Sequence, residues 1–513
     1  STSFETASGP TTTGDLSANR DASGTDTDNN AADFTLAAPT PTNSGTSSGG
    51  GTTAATIAEI QGEDAQVSPF LGESVVTEGV VTAVYATGGL NGFYMQTAGT
   101  GGGTDATPGA SDGIFVFGSA ATAVALVPGD LVEVTADVAE FAGETELTPT
   151  TGGVVVLAED HAPVTALVGP YPSTESDREA HEGELLAPTD DFVVTDNYAT
   201  NQYGEIGLAA GGQQLRQPTD VADAQDTDAI AAVVADNAAR GVVLDDATSI
   251  NYLSAANQAT PMPWLTPTNP VRIGSAATLH QPVVLSYRNS TWKFLPTQPV
   301  TDDGAAVVTF SDTRTANQTP QPVGGDLTLG TFNVLNYFNT TGEEWVTSGR
   351  GTCTYYNDRT GSPVSDNTCT NNGPRGAAQS SGGTDLSDPT ADLERQQTKI
   401  VRAINATDAD ILSLEEIENS VALGEADRDD ALASLVDALN ADAGTTRWAY
   451  APSPAAVDLP GVAEQDVIRT AFIYNPGTVD LVGDSVVLTD EPAFADAREP
   501  LAHPDVVAVR DSR

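Results

Sequence analysis

Apolar and polar positions along this chain follow three successive patterns. Between residues 57 and 162, apolar residues come in short runs that alternate with small or polar ones, which predicts β strands. Residues 75–84 (VVTEGVVTAV), 92–96 (GFYMQ) and 112–117 (DGIFVF) are three such runs, and the Val127-Pro128-Gly129-Asp130 turn feeds a fourth through Val134. Residues 163–322 are again strand-like, with phrases at 181–186 (HEGELL), 192–198 (FVVTDNY), 203–208 (YGEIGL), 216–220 (RQPTD) and 243–246 (VLDD). They predict a second small barrel with a helical insert near 221–239, and Thr297 to Gly325 is a Pro/Thr/Asp-rich linker. After it the pattern changes. Residues 327–338 form a strand that ends in polar residues, followed by a long Gly/Asn/Thr loop over 339–386. A helix with a start at Ser387-Asp388-Pro389 then places Leu393, Ile400, Val401 and Ile404 on one face. The next strand, 410–417, runs into Glu415 and Glu416. Two apolar strands with a helix between them put Asn333 and Glu416 at the same edge of a sheet, where α/β sites are commonly built.

Composition narrows the class. At 513 residues the chain exceeds one core and divides into about three or four domains. It has 49 Gly and 31 Pro, consistent with a turn-rich, largely β architecture. It contains no apolar run long enough to span a bilayer. Ser1 opens in mid-pattern with neither an initiator Met nor a signal-peptide profile, so a piece of a longer protein is expected. Formal net charge is −51, and the only lysines are Lys293 and Lys399. Such a surface repels nucleic acid, whose affinity for proteins comes from Lys and Arg displacing counterions. It is a well-solvated exterior, and its acidic clusters are also able to hold divalent cations that bridge to phosphate.

Two cysteines, Cys353 and Cys369, lie in the Gly/Asn/Thr/Ser-rich loop with no histidine nearby. That favours a disulfide over a zinc site and implies an oxidising compartment. Asp26, Asp28 and Asn30 have the spacing of a calcium loop, yet Ala31 stands where the turn needs Gly and no closing Glu follows. Phe93, Tyr94 and Phe115 are candidates for a base-stacking platform, but so little Lys or Arg surrounds them that core packing is the better reading. His181 and His280 lack a partner His or Cys and read as hydrogen-bonded histidines.

Several phrases, taken in order, resemble known families. The run EGVVTAV, GFYMQ, DGIFVF, VPGDLVEV, EFAGETEL is similar to the OB-fold module of bacterial extracellular nucleases, and the phrases of 181–246 resemble their middle region. TFNVLNYF (331–338), Arg375-Gly376-Ala377, ERQQTKIVRAI (394–404), DADILSLEEIEN (408–419) and RTAFIYNP (469–476) resemble the endonuclease/exonuclease/phosphatase superfamily, ExeM/NucH branch. Residues 26–41 resemble the end of a lamin-tail-like β-sandwich. The resemblance implies a multidomain, β-rich chain: a lamin-tail remnant (1–43), a Gly/Ser/Thr linker (44–54), an OB-like module (55–162) and a second OB-like module (163–322). Residues 325–513 would be the N-terminal half of an α/β DNase-I-like αββα sandwich.

By the same resemblance, Asn333 orients the metal-binding carboxylate and the phosphate, and Glu416 binds Mg2+, with Mn2+ or Ca2+ as alternatives. Arg469 and Arg498 would lie near the substrate backbone. A hard cation held by carboxylate oxygen neutralises charge developing on phosphoryl and leaving-group oxygens. The implied activity is secreted hydrolysis of extracellular DNA, with RNA as a second substrate. The His–Asp pair, Asp-x-Asn and closing Ser-Asp-His that the superfamily uses are not found between Arg498 and Arg513, and His503 (LAHP) is not in a catalytic context. At most trace activity is expected of these residues alone. The alternatives are another phosphodiesterase or phosphatase of this fold, and a non-catalytic extracellular binding or adhesion protein.

Overall fold

The computed structural model describes residues 17–19, 27, 29–37, 52–63, 66–105, 107–266, 270–358, 361–379, 392–489, 492–494, 498, 500–503 and 508–509. Asp26 and Asp28 of the calcium-like spacing lie outside the described residues, as do the helix start at 387–389 and nearly all of the linker 44–53. Asn30 begins a short helix, Asn30–Asp33, beside a two-stranded pair of Ser17–Asn19 with Thr35–Ala37.

Strand outweighs helix in the chain, as its alternating pattern implies. The first module contains β1 (Ser74–Tyr85), β2 (Gly92–Gln96), β3 (Gly113–Phe117), β4 (Leu131–Phe141) and β5 (Glu144–Val156). These close into a five-stranded barrel in the order β1-β2-β3-β5-β4 and back to β1, with β3 and β5 parallel. Ile57 and Ile60, on a short helix with a Thr56/Glu59 capping box, plug the barrel beside Val81, Met95, Ile114 and Leu147.

The second module is one curled nine-stranded sheet built from β6 (Leu167–Gly169), β7 (Leu185–Pro188), β8 (Phe192–Asp196), β9 (Ile206–Ala209), β10 (Gly241–Leu244), β11 (Ala276–Leu279), β12 (Val283–Arg288), β13 (Thr291–Pro296) and β14 (Val308–Phe310). Its order is β14-β11-β8-β9-β10-β13-β12-β7-β6. It is therefore a half-barrel in place of the expected small barrel. The helical insert is present as α1 (Thr227–Arg240), started by the Asp226 side chain on the Ala229 N–H.

The two β modules share a buried seam. Tyr85, Tyr94 and Phe115 of the barrel pack against Ala247, Val284 and Leu295 of the half-barrel. The Tyr94 hydroxyl donates to Glu144, the Ser286 hydroxyl reaches the same oxygen at 3.0 Å, and Arg288 Nε donates to its other oxygen at 2.7 Å. Backbones also touch here: a Cβ on Gly113 would lie 2.3 Å from the Gly183 carbonyl carbon, so neither position admits a side chain. A second buried ion group joins Lys293 to Glu205 and, at 2.8 Å, to Asp245. A lysine with two carboxylates satisfies burial that a lone ammonium would not survive.

The last module carries a four-stranded sheet. Its elements are β15 (Leu329–Tyr337), α2 (Gly342–Thr347), β16 (Cys353–Asn357), β17 (Pro363–Cys369), α3 (Asp392–Thr407), β18 (Ile411–Glu418), α4 (Asp430–Ala443), β19 (Ala449–Tyr450) and β20 (Ile468–Tyr474). The order is β15-β18-β20-β19, with β15 and β18 parallel through the α3 crossover and β20 antiparallel to β18. Ile400, Val401 and Ile404 of α3 and Leu432, Leu435 and Leu439 of α4 pack on one face with Val334, Leu412 and Leu414. The segment expected as an unbroken loop after β15 instead holds α2 and the β16–β17 hairpin, stapled by the Cys353–Cys369 disulfide. Among the described residues, no helix is long and apolar enough to cross a membrane.

Candidate functional site

The site begins where β15 and β18 both break register. Asn333 pairs with Glu415, the next pair is Tyr337 with Ile417, and the ladder from β18 to β20 slips between Leu414 and Ile417. A bulge of this kind re-aims side chains at the end of a strand. Three non-glycine residues in it take left-handed backbone: Leu335 (φ 51°), Asn336 (φ 52°) and Glu416 (φ 63°). Each costs on the order of 1 kcal/mol or more, and persists only where its surroundings impose it. Here α3 imposes it. Gln396 Nε2 donates to the Leu335 carbonyl at 2.7 Å, and the Tyr337 hydroxyl donates to Gln397 at 3.1 Å.

Glu416 is half-buried, and its Oε2 accepts the Asn336 N–H at 3.2 Å. The other oxygen has no protein partner among the described residues. Asn333 is exposed, and its amide oxygen caps its own strand by accepting the Leu335 N–H at 2.8 Å. The carboxylate is thus oriented by the Asn336 backbone, and Asn333, opposite Glu415 on the adjoining strand, has its amide nitrogen unengaged among the described residues. Sequence reasoning missed Asn336, which sits in a quoted motif but acts through its N–H. Glu415 takes a hydroxyl from Ser413 at 2.9 Å. Glu418 is fully buried, and burial pushes its carboxyl up while the Thr340 N–H at 2.9 Å holds it down. One half-buried carboxylate with an oxygen that no described protein group engages is chemically able to take a hard cation as ligand.

The two candidate arginines do not reach this edge in the same way. Arg469, opposite Ile417, is only 6% exposed and pairs with Asp429 at 2.7 Å. Burial lowers its pKa, and Asp429 opposes that shift. Arg498 is exposed and donates to Asp466 at 3.1 Å, and Arg375 meets the other oxygen of Asp466 at the same distance. Arg469, Arg498 and Arg428 line one narrow pocket with Asn419, Gln465 and Asp466. Four of the few arginines in a chain of net charge −51 therefore gather in one corner.

The remaining candidates resolve simply. Cys353 and Cys369 are bonded to each other, so their sulfurs are not available as thiolate ligands. Phe93, Tyr94 and Phe115 are fully buried core residues. The exposed aromatic pair of the barrel is instead Phe117 stacked on Phe141, ring centroids 6.5 Å apart. His181 bonds Glu184 at 3.0 Å and His280 bonds Thr309 at 2.8 Å. No known family model matches this chain, and no curated protein matches it either.

Proposed function

We propose that residues 325–513 carry the metal-binding part of a secreted, divalent-metal-dependent phosphodiesterase that hydrolyses extracellular nucleic acid, with DNA as the first substrate and RNA as the second. The observation that carries this reading is Glu416. An acidic residue is held in left-handed backbone at a bulge between two parallel strands, its carboxylate aimed by a neighbouring N–H, and Asn333 lies on the adjoining strand. Strain kept at one carboxylate, where glycine would cost less, is the mark of a working residue. A Mg2+ bound there would neutralise charge on the phosphoryl oxygens. Glu416 would hold the ion, Asn333 would hydrogen-bond a phosphate oxygen through its free amide nitrogen, and the Arg428/Arg469/Arg498 pocket would favour the polyanion that the rest of the surface repels. The sheet order β15-β18-β20-β19 supports a DNase-I-like half-sandwich, and the closed barrel order supports an OB-like first module. The disulfide fits the oxidising setting of a secreted protein.

Two measurements test the reading. Mn2+ titrated into the protein and followed by the loss of its free EPR signal should bind, and Glu416→Ala should remove one equivalent of that uptake. Linearisation of plasmid DNA by the protein with Mg2+ should fall at least 100-fold in Glu416→Ala. Undiminished cleavage would remove Glu416 from the metal site and leave a non-catalytic binding protein as the better reading.

A further inference from the structure

The residue that most lacks an explanation lies outside that edge. Asp366, on β17, is 5% exposed, and neither of its carboxylate oxygens has a hydrogen-bond partner among the described residues. Asp392, the first residue of α3, is 4% exposed, and its Oδ2 is likewise without a partner, Arg395 reaching only Oδ1. Among the described residues, three buried acceptor atoms of these two acidic residues are thus unsatisfied, although the Gln379 N–H also bonds Asp392, and the two carboxyls lie near enough for Asp392 to raise Asp366. Buried carboxylates are normally paired, hydrogen-bonded or bound to metal, because leaving them bare costs several kcal/mol on the order of a buried ion's desolvation.

Protein groups do not supply the missing partner. The Cys353 and Cys369 sulfurs come within 4.8 Å of the Asp366 carboxylate, but as a disulfide they offer neither proton nor thiolate. The Cβ that an alanine at 342 would carry lies 1.9 Å from Asp366 Oδ1 and 2.9 Å from Tyr355, so the Asp366 carboxylate packs directly against Gly342 and no side chain is admitted there. Asp358 adds negative charge near Asp392, and Glu343 adds it near Tyr355. Burial first, and the nearby Asp392 second, push Asp366 up to about 8.

We propose that Asp366 and Asp392 form a calcium site, separate from Glu416, that ties the disulfide hairpin to the start of α3. Calcium accepts six to eight oxygen ligands in irregular geometry, so two carboxylates with backbone carbonyls and water suit it. Mg2+ demands a near-ideal octahedron and keeps several waters, so two carboxylates this buried suit it less well. Calcium binds the ionised carboxylate, so any proton that either carboxyl holds must leave as the ion enters.

The test is calorimetric titration of CaCl2 into Glu416→Ala protein, which removes the other candidate site, in two buffers of different ionisation enthalpy. One calcium should bind with release of a proton, and an equal concentration of MgCl2 should not replace it. Asp366→Asn and Asp392→Asn should each weaken the affinity at least tenfold. Asp366→Asn should also melt no lower than its parent without calcium, since it removes an unpaired buried acid while keeping its shape. Calcium uptake that is absent in the parent, or equally tight in Asp366→Asn, would overturn the site whatever the fate of the nuclease reading.

Discussion

Replacing Glu146 with glutamine should stabilise the two β modules at pH 8 and leave them nearly unchanged at pH 5. Glu146 lies on β5 opposite Phe115 and Ala139 and is 5% exposed. Burial dominates its environment, Glu144 and Glu140 add repulsion, and the single nearby cation, Arg288, has its Nε committed to Glu144. Its carboxyl is pushed from 4.5 up to about 7. A folded-state pKa above the unfolded one contributes stability that is fully present below pH 4.5 and lost as pH rises through 7. A shift of this size corresponds to about 3 kcal/mol at most, and solvent screening reduces it to about 1–2 kcal/mol. Glutamine has the shape of the protonated form and no charge to bury, so the variant should gain that 1–2 kcal/mol at pH 8. Glu179, also pushed up to about 7, should leave a residual slope of the same sign. Urea titrations at both pH values, followed by the fluorescence of the buried Trp264 and Trp292, measure it. An equal effect at pH 5 and pH 8, or a loss at pH 8, would refute the argument.

Three further outcomes follow from buried pairs, the staple and the bulge. Arg288→Met should cost about 3–5 kcal/mol in urea unfolding, because Glu144 is left as an unpaired buried charge, and adding Glu144→Gln should recover most of the loss. Replacing both Cys353 and Cys369 with alanine should lower the stability of the last module by about 3 kcal/mol, read from the shift in its urea midpoint, since the bridge closes a loop of 16 residues. Leu335→Asn should raise the melting temperature, with a gain of about 0.5–1 kcal/mol. Asparagine tolerates left-handed backbone better than leucine, and a side chain 72% exposed has little packing to lose.

Strands that bury an alternating face were legible in the sequence. The three runs at 75–84, 92–96 and 112–117 all occur as strands within a residue or so of their expected bounds, because one set of their apolar positions fills the barrel core and the other the seam with the half-barrel. The β16–β17 hairpin was not legible. Its residues, CTYYN and PVSDNTC, are mostly exposed or half-exposed and polar, and the disulfide and the packing of Trp345 hold them in place of a hydrophobic stripe. The adjacency of Asn333 and Glu416 could be read from two apolar strands joined by a helix. The backbone of Glu416 could not, since its left-handed turn lies at the slip against β20. Nor could the burial of Arg469, whose partner Asp429 is 40 residues away along the chain and meets it only once β20 has paired.

Charge is where these pieces constrain one another. A surface of net charge −51 cannot collect a polyanion by attraction spread over the whole molecule, so any contact with nucleic acid must be local. The proposed function rests on two local means, the arginine corner and a cation at Glu416. The arginines there are themselves tethered: Asp466 is shared by Arg375 and Arg498, and Asp429 holds Arg469. Such tethering fixes the guanidinium groups in place but cancels part of their charge, which shifts more of the work to a bound cation. If that account holds, raising Mg2+ at constant ionic strength should tighten DNA binding measured by fluorescence anisotropy, and Glu416→Ala should remove the Mg2+ effect. Raising NaCl should weaken binding with a shallow slope, matching contacts with only a few phosphates. A steep slope that survives in Glu416→Ala would place binding on arginines elsewhere and separate it from the metal edge.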